Sequence, residues 1–375
     1  MIYCDFKGKK LSSLGMGCMR LPTQADGTID IAATKAMVDY AIGNGINYFD
    51  TAWGYHNGQS ETVIGELLSA YPRDSYYIAS KFPSYSVDNF GKAEEIFERQ
   101  LEKCRVDRFD FYLCHNVCEK NIGHYLENEK YGDVAYLLEQ KKNGRITHLG
   151  FSVHGSLKVM EDFLKKYGDV MEFCQIQFNY LDYKLQSAGE KLKLLEKYGI
   201  PVWVMEPVRG GKLATLDEKY VSRLKALRPD ENAVAWAFRY IQSFGGIAVT
   251  LSGMSNMEQL QQNIKTFEES KPLNENEMNA VSEIVADMLS ADTLPCTACR
   301  YCTEKCPMEL DIPALIELYN EHRFTGGGFM APMALSIYPE DKKPSACLGC
   351  RACEDVCPQN ILISEMMADF VERLK

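Results

Sequence analysis

Short apolar runs alternate with amphipathic stretches from residue 12 to about residue 268. Each apolar run has the length and composition of a buried strand. Eight such runs follow one another: LGMGCMRL, INYFDTA, YYIASKF, FDFYLCHN, THLGFSV, FCQIQFNY, PVWVMEP and GIAVTLSG. Segments with helical spacing, such as AATKAMVDYAIGNG and AEEIFERQLEKCR, lie between them. This alternation predicts an α/β fold in which the strands close into a (β/α)8 barrel of the TIM type.

A doubly wound parallel sheet is the structural alternative to the barrel. Its dinucleotide-binding fingerprint has the form G-x-G-x-x-G directly after the first strand. Gly15 and Gly17 begin such a pattern, but Arg20 stands where the third glycine belongs. The sequence therefore favours the barrel, whose chemistry lies at the carboxyl ends of its strands.

The last quarter of the chain has a different pattern. The segments CTACRYCTEKCP at 296–307 and CLGCRACEDVCP at 347–358 both follow C-x2-C-x2-C-x3-C-P. Helical spacing is visible in DIPALIELYNEHRF at 311–324 and in NILISEMMADFVERLK at the end of the chain. We therefore expect two domains, a barrel at 1–284 and a small, mainly helical, ferredoxin-like iron–sulfur domain at 285–375.

The cysteine spacing is that of bacterial ferredoxins, in which four thiolates hold a [4Fe–4S] cluster. The resemblance to two-cluster ferredoxins implies that the fourth cysteine of each motif binds the other cluster. The two implied ligand sets are Cys296, Cys299, Cys302 and Cys357, and Cys347, Cys350, Cys353 and Cys306. Structural zinc is the alternative, but its four-cysteine sites use two C-x2-C pairs, so one cysteine would be surplus. Electron transfer is not the only role that the clusters could have. They could instead be structural and stabilise a small domain that has little hydrophobic core.

Composition and charge argue against several classes of function. The 375 residues are 46% hydrophobic and 25% charged, as in a globular protein. The net charge of −11 offers no basic surface for phosphate, so neither nucleic acid nor an anionic membrane is expected as a partner. No apolar run reaches the roughly 18 residues of a membrane helix, and the opening residues form no signal-peptide core. We expect a cytoplasmic protein.

Polar residues stand at the ends of three consecutive predicted strands. Asp50 ends one strand and is followed by Tyr55, Lys81 lies near the end of the next, and His115 near the end of the third. Each alone has an ordinary structural explanation, such as an ion pair or packing at the rim of the core. Together, the segments NYFDTAWGYHNGQSETVIGELL, YYIASK and DFYLCHN resemble the successive signatures of the aldo-keto reductases. The resemblance covers roughly residues 10–270, and ferredoxin-pattern tails occur on a bacterial branch of that family.

The resemblance implies hydride transfer between a nicotinamide cofactor and an aldehyde or ketone, or the reverse reaction of the alcohol. Tyr55 is implied as the general acid/base, although the ordinary pKa of tyrosine is near ~10. The Lys81 ammonium would lower the pKa of Tyr55, and Asp50 would hold Lys81 in place. His115 would donate a hydrogen bond to the carbonyl oxygen.

The same resemblance implies cofactor contacts in the later segments. The implied residues are Ser152, Gln175, Met205, Arg209, Gly210, Gln262 and Asn263. Val153 replaces the asparagine that usually follows the serine, and Met205 stands where an aromatic residue often stacks on the nicotinamide. Members that use NADPH usually carry lysine and arginine around the 2′-phosphate. Gly253, Met254 and Gln259 occupy those positions here, so of NADH and NADPH the sequence favours NADH.

Three functions remain open because a nicotinamide delivers two electrons at once, whereas a cluster accepts one, and a flavin is the usual converter. The first is a carbonyl reductase for a small-molecule carbonyl or alcohol, with clusters that are structural or serve an unidentified partner. The second is an electron-transfer enzyme, in which a flavin in the barrel or a partner flavoprotein links the clusters to an external ferredoxin. The third is a non-catalytic, redox-sensing barrel, which the complete set of four residues disfavours.

Overall fold

The computed structural model describes residues 1–296, 299–357 and 359–375, so Pro358, which closes the second cysteine motif, lies outside the described residues. The chain forms two compact units, Met1–Ala280 and Val281–Lys375. Among the described residues there is no helix with the length and apolar character needed to cross a membrane.

Eight parallel strands close the first unit into the predicted barrel. The strands in the described ranges are β1 Tyr3–Phe6, β2 Lys9–Ser12, β3 Leu14–Gly17, β4 Tyr48–Asp50, β5 Tyr77–Phe82, β6 Phe109–Val117, β7 Ile146–Val153, β8 Cys174–Gln177, β9 Val202–Met205 and β10 Ile247–Gly253. Strands β3 to β10 follow one another around the barrel, and β10 pairs with β3 to close it. The register places Asp50 beside Gly17 on one side and Ala79 on the other. The predicted fold class is confirmed.

Helices alternate with the barrel strands and continue into the second unit. In the described part of the chain they are α1 Ile31–Gly43, α2 Ser60–Leu68, α3 Ala93–Cys104, α4 Ile122–Leu126, α5 Asn128–Tyr131, α6 Asp133–Lys142, α7 Leu157–Tyr167, α8 Asp182–Leu185, α9 Ala188–Tyr198, α10 Glu218–Leu227, α11 Ala233–Gln242, α12 Met257–Thr266, α13 Glu275–Asp292, α14 Ile312–Thr325, α15 Met330–Leu335 and α16 Ile363–Arg373. Side-chain caps begin α1, α7, α11 and α12: Asp30, Ser156, Asn232 and Asn256 each accept a hydrogen bond from a first-turn amide. These caps satisfy amides that a helix start leaves without partners.

Strands β1 and β2 form an antiparallel hairpin that the alternating pattern did not predict. Lys7 and Gly8 make its turn with positive φ angles of 50° and 79°. The Phe6 ring packs against Trp203 and Phe111, with centroids 5.0 Å and 5.8 Å away. Because both partners lie near the amino-terminal ends of their strands, the hairpin covers that end of the barrel. The carboxyl ends of the strands lie at the opposite end.

The second unit is mainly helical, as predicted. Helix α14 begins after Asp311, whose side chain caps it, and has Pro313 in its first turn. Gly326 follows the last helical residue, with a φ of 70°. The hydrophobic core of the second unit consists of buried residues from α14, α15 and α16 and from the cysteine segments. They include Leu315, Ile316, Tyr319, Ala331, Met366, Met367, Phe370, Cys302 and Cys353. One cysteine of each motif, Cys302 and Cys353, is thus buried in this helical core.

Candidate active site and cluster sites

The carboxyl ends of β4, β5 and β6 bring the four predicted catalytic side chains together. Asp50 ends β4, Lys81 is next to last in β5, His115 lies in β6, and Tyr55 lies in the loop between β4 and α2. Lys81 Nζ donates a hydrogen bond to Asp50 Oδ1 at 2.6 Å and another to the Tyr55 hydroxyl at 3.4 Å. The rings of Tyr55 and His115 meet edge-on, with centroids 6.1 Å apart.

The Asp50–Lys81 ion pair is buried, and Lys81 has no exposed surface. The ammonium also donates to the Thr51 carbonyl at 2.7 Å. Burial raises the pKa of the Asp50 carboxyl, and the Lys81 charge opposes that shift. Burial also acts against the charge of Lys81, but Asp50 and Tyr55 outweigh it, so the pKa of Lys81 is raised. The ammonium therefore remains charged at neutral pH.

Tyr55 combines two opposing effects on its hydroxyl. Burial raises the pKa of Tyr55, Lys81 lowers it, and Asp50 adds to the rise. The expected lowering by Lys81 is present, but burial outweighs it, so the hydroxyl is protonated and able to donate at neutral pH. The next residue fixes the loop: His56 has a positive φ of 51°, and its Nε2 accepts a hydrogen bond from the Leu21 amide at 3.0 Å.

His115 is held in its neutral form. Burial lowers the pKa of His115 well below its ordinary value, and the charge of Lys81 and the neighbouring His154 add to the effect. Its Nδ1 is buried without a hydrogen-bond partner among the described residues. The Tyr85 ring packs edge-on against it at 5.5 Å. A neutral imidazole carries one N–H, so His115 is able to donate a hydrogen bond without changing charge. His154, directly after β7, is also neutral, because burial lowers the pKa of its ring to about 4.

A cleft of about 240 Å³ lies between the segment that follows β9 and the end of β10 with the start of α12. Three predicted cofactor residues, Gly210, Gln262 and Asn263, line it. Asn263 is buried and donates to Ser252 Oγ at 3.1 Å. Arg20, from the loop after β3, lines the same cleft and was not among the predicted residues. Its position directly after the first barrel strand was the only sequence signal for it.

Two further predicted cofactor residues are buried at strand ends. Ser152 Oγ accepts a hydrogen bond from the Asn116 amide at 2.8 Å. Gln175, in β8, has a side-chain oxygen that is buried without a partner in the described part of the chain. A buried amide oxygen without a hydrogen bond costs free energy, so it favours a bound donor. Met205 ends β9 and is partly buried.

Arg209 is one of the implied cofactor contacts, but its guanidinium is buried and pairs with the Asp182 carboxylate. Asp182 also accepts hydrogen bonds from Gln177 at 2.8 Å and from Asn179 at 2.5 Å. Arg209 is therefore tied to the barrel, and it is the backbone of the next residue, Gly210, that lines the cleft.

Two small cavities in the second unit are each surrounded by four cysteines. One is lined by Cys296, Cys299, Cys302 and Cys357, and the other by Cys306, Cys347, Cys350 and Cys353. Each set takes three cysteines from one motif and the fourth from the other, which is the exchange that the ferredoxin resemblance implied. Across residues 1–296, 299–357 and 359–375, no three His, Cys, Asp or Glu side chains converge so that they could hold a single metal ion. Four thiols spread around a cavity suit a cluster, in which each thiolate binds a different iron.

Comparison with known sequences agrees with both units. The profile of the aldo/keto reductase family matches residues 13–286, which is most of the chain. The chain belongs to the aldo/keto reductase family. In the second unit of this aldo/keto reductase, the profile of the 4Fe-4S dicluster domain matches residues 295–362. The protein is therefore an oxidoreductase with an iron–sulfur domain.

Relatives of the aldo/keto reductase barrel are distant in sequence. The uncharacterized oxidoreductase YqkF of Bacillus subtilis is 27% identical over 304 residues, which cover 72% of this chain and 92% of that protein. A thermostable aldo-keto reductase solved with the inhibitor epalrestat superposes with a TM-score of 0.62 at 21% identity, covering 76% of this chain and all of that one. An aldo-keto reductase of Klebsiella pneumoniae solved with NADPH gives a TM-score of 0.59 at 18% identity, covering 74% and 93%. These structural likenesses establish the barrel fold.

Proposed function

We propose that this aldo/keto reductase reduces a small aldehyde or ketone, and oxidises the alcohol in reverse, by hydride transfer with a nicotinamide dinucleotide. The observation that carries the proposal is the buried contact of Lys81 with both Asp50 and Tyr55 at the carboxyl end of the barrel. The barrel domain, about residues 1–284, would carry out this reaction, and residues 285–375 would hold the two [4Fe–4S] clusters.

The four side chains divide the work at the carbonyl oxygen. A bound nicotinamide dinucleotide supplies the hydride that forms the new C–H bond. As the C=O bond becomes a single bond, its oxygen gains negative charge and takes the proton of the Tyr55 hydroxyl. Lys81 stabilises the phenolate that remains, and Asp50 keeps the ammonium charged and in place. His115 donates its N–H to the same oxygen and orients it.

The residues around the cleft fit a dinucleotide. Gly210 offers backbone at the cleft wall, and Asn263 and Gln262 offer polar side chains there. In β8, the side-chain oxygen of Gln175 is buried without a partner among the described residues, so it suits a carboxamide donor. The Klebsiella pneumoniae neighbour of the same fold was solved with NADPH, which supports a nicotinamide cofactor. Met205 and Ser152 would flank the nicotinamide ring of the cofactor. Arg209 would not contact the cofactor and would act only by its ion pair with Asp182.

Cofactor preference is the finer part of the proposal. We propose NADH, because Gly253 and Gln259 carry no charge that would bind a 2′-phosphate. Arg20 provides the test, since its guanidinium lines the same cleft and is half exposed. NADH preference predicts a higher kcat/KM with NADH than with NADPH. A higher value with NADPH that is lost in Arg20→Gln would contradict it.

Tyr55→Phe tests the reaction itself. The wild-type protein is expected to consume reduced nicotinamide only when an aldehyde or ketone is added. Loss of a positioned acid costs roughly 100-fold or more in kcat, and the Kd for the cofactor should stay unchanged because the ring remains. Tyr85→Phe is the matched control, because it removes the hydroxyl from the other tyrosine that packs on His115. Full activity in Tyr55→Phe would contradict the proposed role.

A second candidate function rests on the two four-cysteine cavities. In that function, a flavin bound in the barrel or a partner flavoprotein would pass electrons to the clusters and on to a ferredoxin. The test is to mix the protein anaerobically with NADH and no carbonyl, and to follow the visible absorbance of the clusters. Bleaching, with a flavin released on denaturation, would favour electron transfer. Unchanged absorbance would favour clusters that stabilise the domain.

A further inference from the structure

A second buried polar cluster lies behind Lys81 and takes no direct part in the proposed chemistry. At its centre is Glu61, on α2, which has no exposed surface. Its Oε1 accepts hydrogen bonds from Ser80 Oγ and Gln100 Nε2, both at 2.6 Å. Its Oε2 accepts from Lys103 Nζ, also at 2.6 Å. Burying a carboxylate costs several kcal/mol before its partners compensate it, so an apolar residue here would be the simpler solution for stability alone.

A glycine allows the two helices that carry this cluster to approach each other. A Cβ on Gly65, in α2, would lie 2.5 Å from the backbone of Cys104 in α3. Glu61 lies one turn before Gly65 on α2, and Gln100 and Lys103 lie within the turn before Cys104 on α3. The close contact therefore places the carboxylate of one helix against the amide and the ammonium of the other.

One arm of the cluster holds the backbone around Lys81. Gln100 Nε2 donates to the Lys81 carbonyl at 3.0 Å and lies 2.9 Å from Ser80 Oγ. Its two hydrogens thus face three acceptors, Glu61 included, so one of them is shared. The amide orientation of Gln100 is fixed from the other side, because the Tyr112 hydroxyl donates to its Oε1 at 2.5 Å. Glu61 therefore holds the residue before Lys81 directly and holds the Lys81 carbonyl through Gln100.

The other arm reaches the loop that carries Tyr55. The Lys103 ammonium lies 4.7 Å from the centroid of the Trp53 ring, in the range of a cation–π contact. Trp53 precedes Tyr55 by two residues in the same loop. Lys103 thus joins Glu61 to the segment that positions the Tyr55 hydroxyl.

We propose that Glu61 is a positioning residue. Its buried carboxylate bonds both to the strand that carries Lys81 and, through Lys103, to the loop that carries Tyr55, and so fixes the position of the strand relative to the loop. It thereby sets the 3.4 Å separation between Lys81 Nζ and the Tyr55 hydroxyl. That separation is already longer than the usual 2.7–3.2 Å of such a hydrogen bond, so a shift of a few tenths of an ångström ends the contact. The inference rests on the proposed function, in which this contact supports proton donation.

The test removes the contact from Glu61 through Lys103 to the Tyr55 loop, and it keeps the bonds from Glu61 to Ser80 and Gln100. Lys103→Met removes the ammonium between Glu61 and Trp53, and Lys103→Arg keeps a cation there. Because misplacement by about 1 Å costs up to ~100-fold in rate, we expect kcat for carbonyl reduction to fall about 10-fold in Lys103→Met. We expect KM to stay within about twofold and the alkaline limb of the kcat–pH profile to move upward. Lys103→Arg should recover most of the rate.

A purely structural role would give a different result. It would lower the melting temperature or the fraction of active protein and leave kcat per active site and the pH profile unchanged, which would overturn the inference. If Lys103→Met fails to fold because it leaves Glu61 buried and charged, the double variant Glu61→Gln/Lys103→Met removes both charges. The same loss of kcat with the same pH shift is expected of it.

A crystal structure of Lys103→Met separates this inference from the proposed function. We expect the Lys81–Tyr55 separation to exceed the hydrogen-bond range in the variant, whatever the enzyme reduces. An unchanged separation would overturn the positioning role of Glu61 even in an active enzyme. Absence of carbonyl reduction in the wild type would overturn the proposed function. The comparison of the Lys81–Tyr55 separation between the variant and the wild type would still test the positioning role of Glu61.

Discussion

Replacing Lys81 by methionine measures what the ammonium contributes to proton donation by Tyr55. Methionine preserves most of the length of the side chain and removes its charge. Unit charges 3.4 Å apart attract by about 5 kcal/mol at an effective dielectric constant of ~20. With about half a unit of charge on the tyrosine oxygen in the transition state, the loss is ~2.5 kcal/mol, or about 70-fold in kcat.

The pH dependence of the variant has a defined sign. Lys81 lowers the pKa of Tyr55 against the effect of burial. Its removal therefore raises the pKa of the tyrosine further, and the alkaline limb of the profile for carbonyl reduction moves to higher pH. The assay is the kcat–pH profile for reduction under saturating cofactor, since kcat reports groups in the bound complex.

Two controls separate catalysis from stability. Removal of Lys81 leaves Asp50 buried without its cation, which costs ~3–5 kcal/mol of stability, so Lys81→Met/Asp50→Asn is measured beside the single variant. Lys141→Met removes another paired lysine, which bonds Glu172 at 2.6 Å near the amino-terminal end of the barrel, and should retain kcat. A folded Lys81→Met protein with kcat within about threefold of wild type and an unshifted profile would refute the reasoning.

Three further predictions concern stability and cluster assembly. Although burial acts in the opposite direction, hydrogen bonds from basic neighbours hold the pKa of Glu172 far below its usual range. Glu172→Gln should therefore lower the free energy of unfolding in urea by about 1–2 kcal/mol at neutral pH, a difference that persists above the usual carboxyl pKa of ~4.3 and fades as pH falls below it. The double variant Cys306→Ala/Cys350→Ala should keep about half of the iron, because both thiols line one cavity. The double variant Cys302→Ala/Cys350→Ala should lose both clusters, because its two thiols line different cavities. Equal iron loss in the two double variants would contradict the exchanged ligand sets. Gly150→Ala should lower the free energy of unfolding of the barrel by about 1–3 kcal/mol, because the new Cβ would lie 2.5 Å from the Phe173 carbonyl oxygen. An unchanged melting temperature would contradict this packing.

The barrel could be predicted from sequence because strands buried on both faces are continuous apolar runs. The N-terminal hairpin could not, since its strands YCDF and KKLS are short, mixed in polarity and only partly buried. We could predict that Asp50, Tyr55, Lys81 and His115 would converge because parallel strands deliver their carboxyl ends to one edge, and the structure brings the four side chains together. Their catalytic role stays a prediction.

What the sequence did not reveal depends on partners that are distant along the chain. Arg209 stands in a glycine-containing loop where the family resemblance implied a cofactor contact, yet the buried Asp182 carboxylate pairs with its guanidinium. The net rise in the pKa of Tyr55 follows from burial, which no local pattern encodes. Glu61 was visible only as one polar residue in an amphipathic helix, because its three donors come from β5 and α3.

The most direct test of the central claim follows the hydride itself. The cluster-loaded protein is incubated anaerobically with nicotinamide cofactor deuterated at its hydride position and with a panel of aldehydes and ketones, and the products are analysed by mass spectrometry. The account predicts deuterium on the carbinol carbon of the product alcohol, and almost none from Tyr55→Phe. Oxidation of the cofactor without a deuterated alcohol, accompanied by bleaching of the clusters, would contradict it and would assign the barrel to electron transfer.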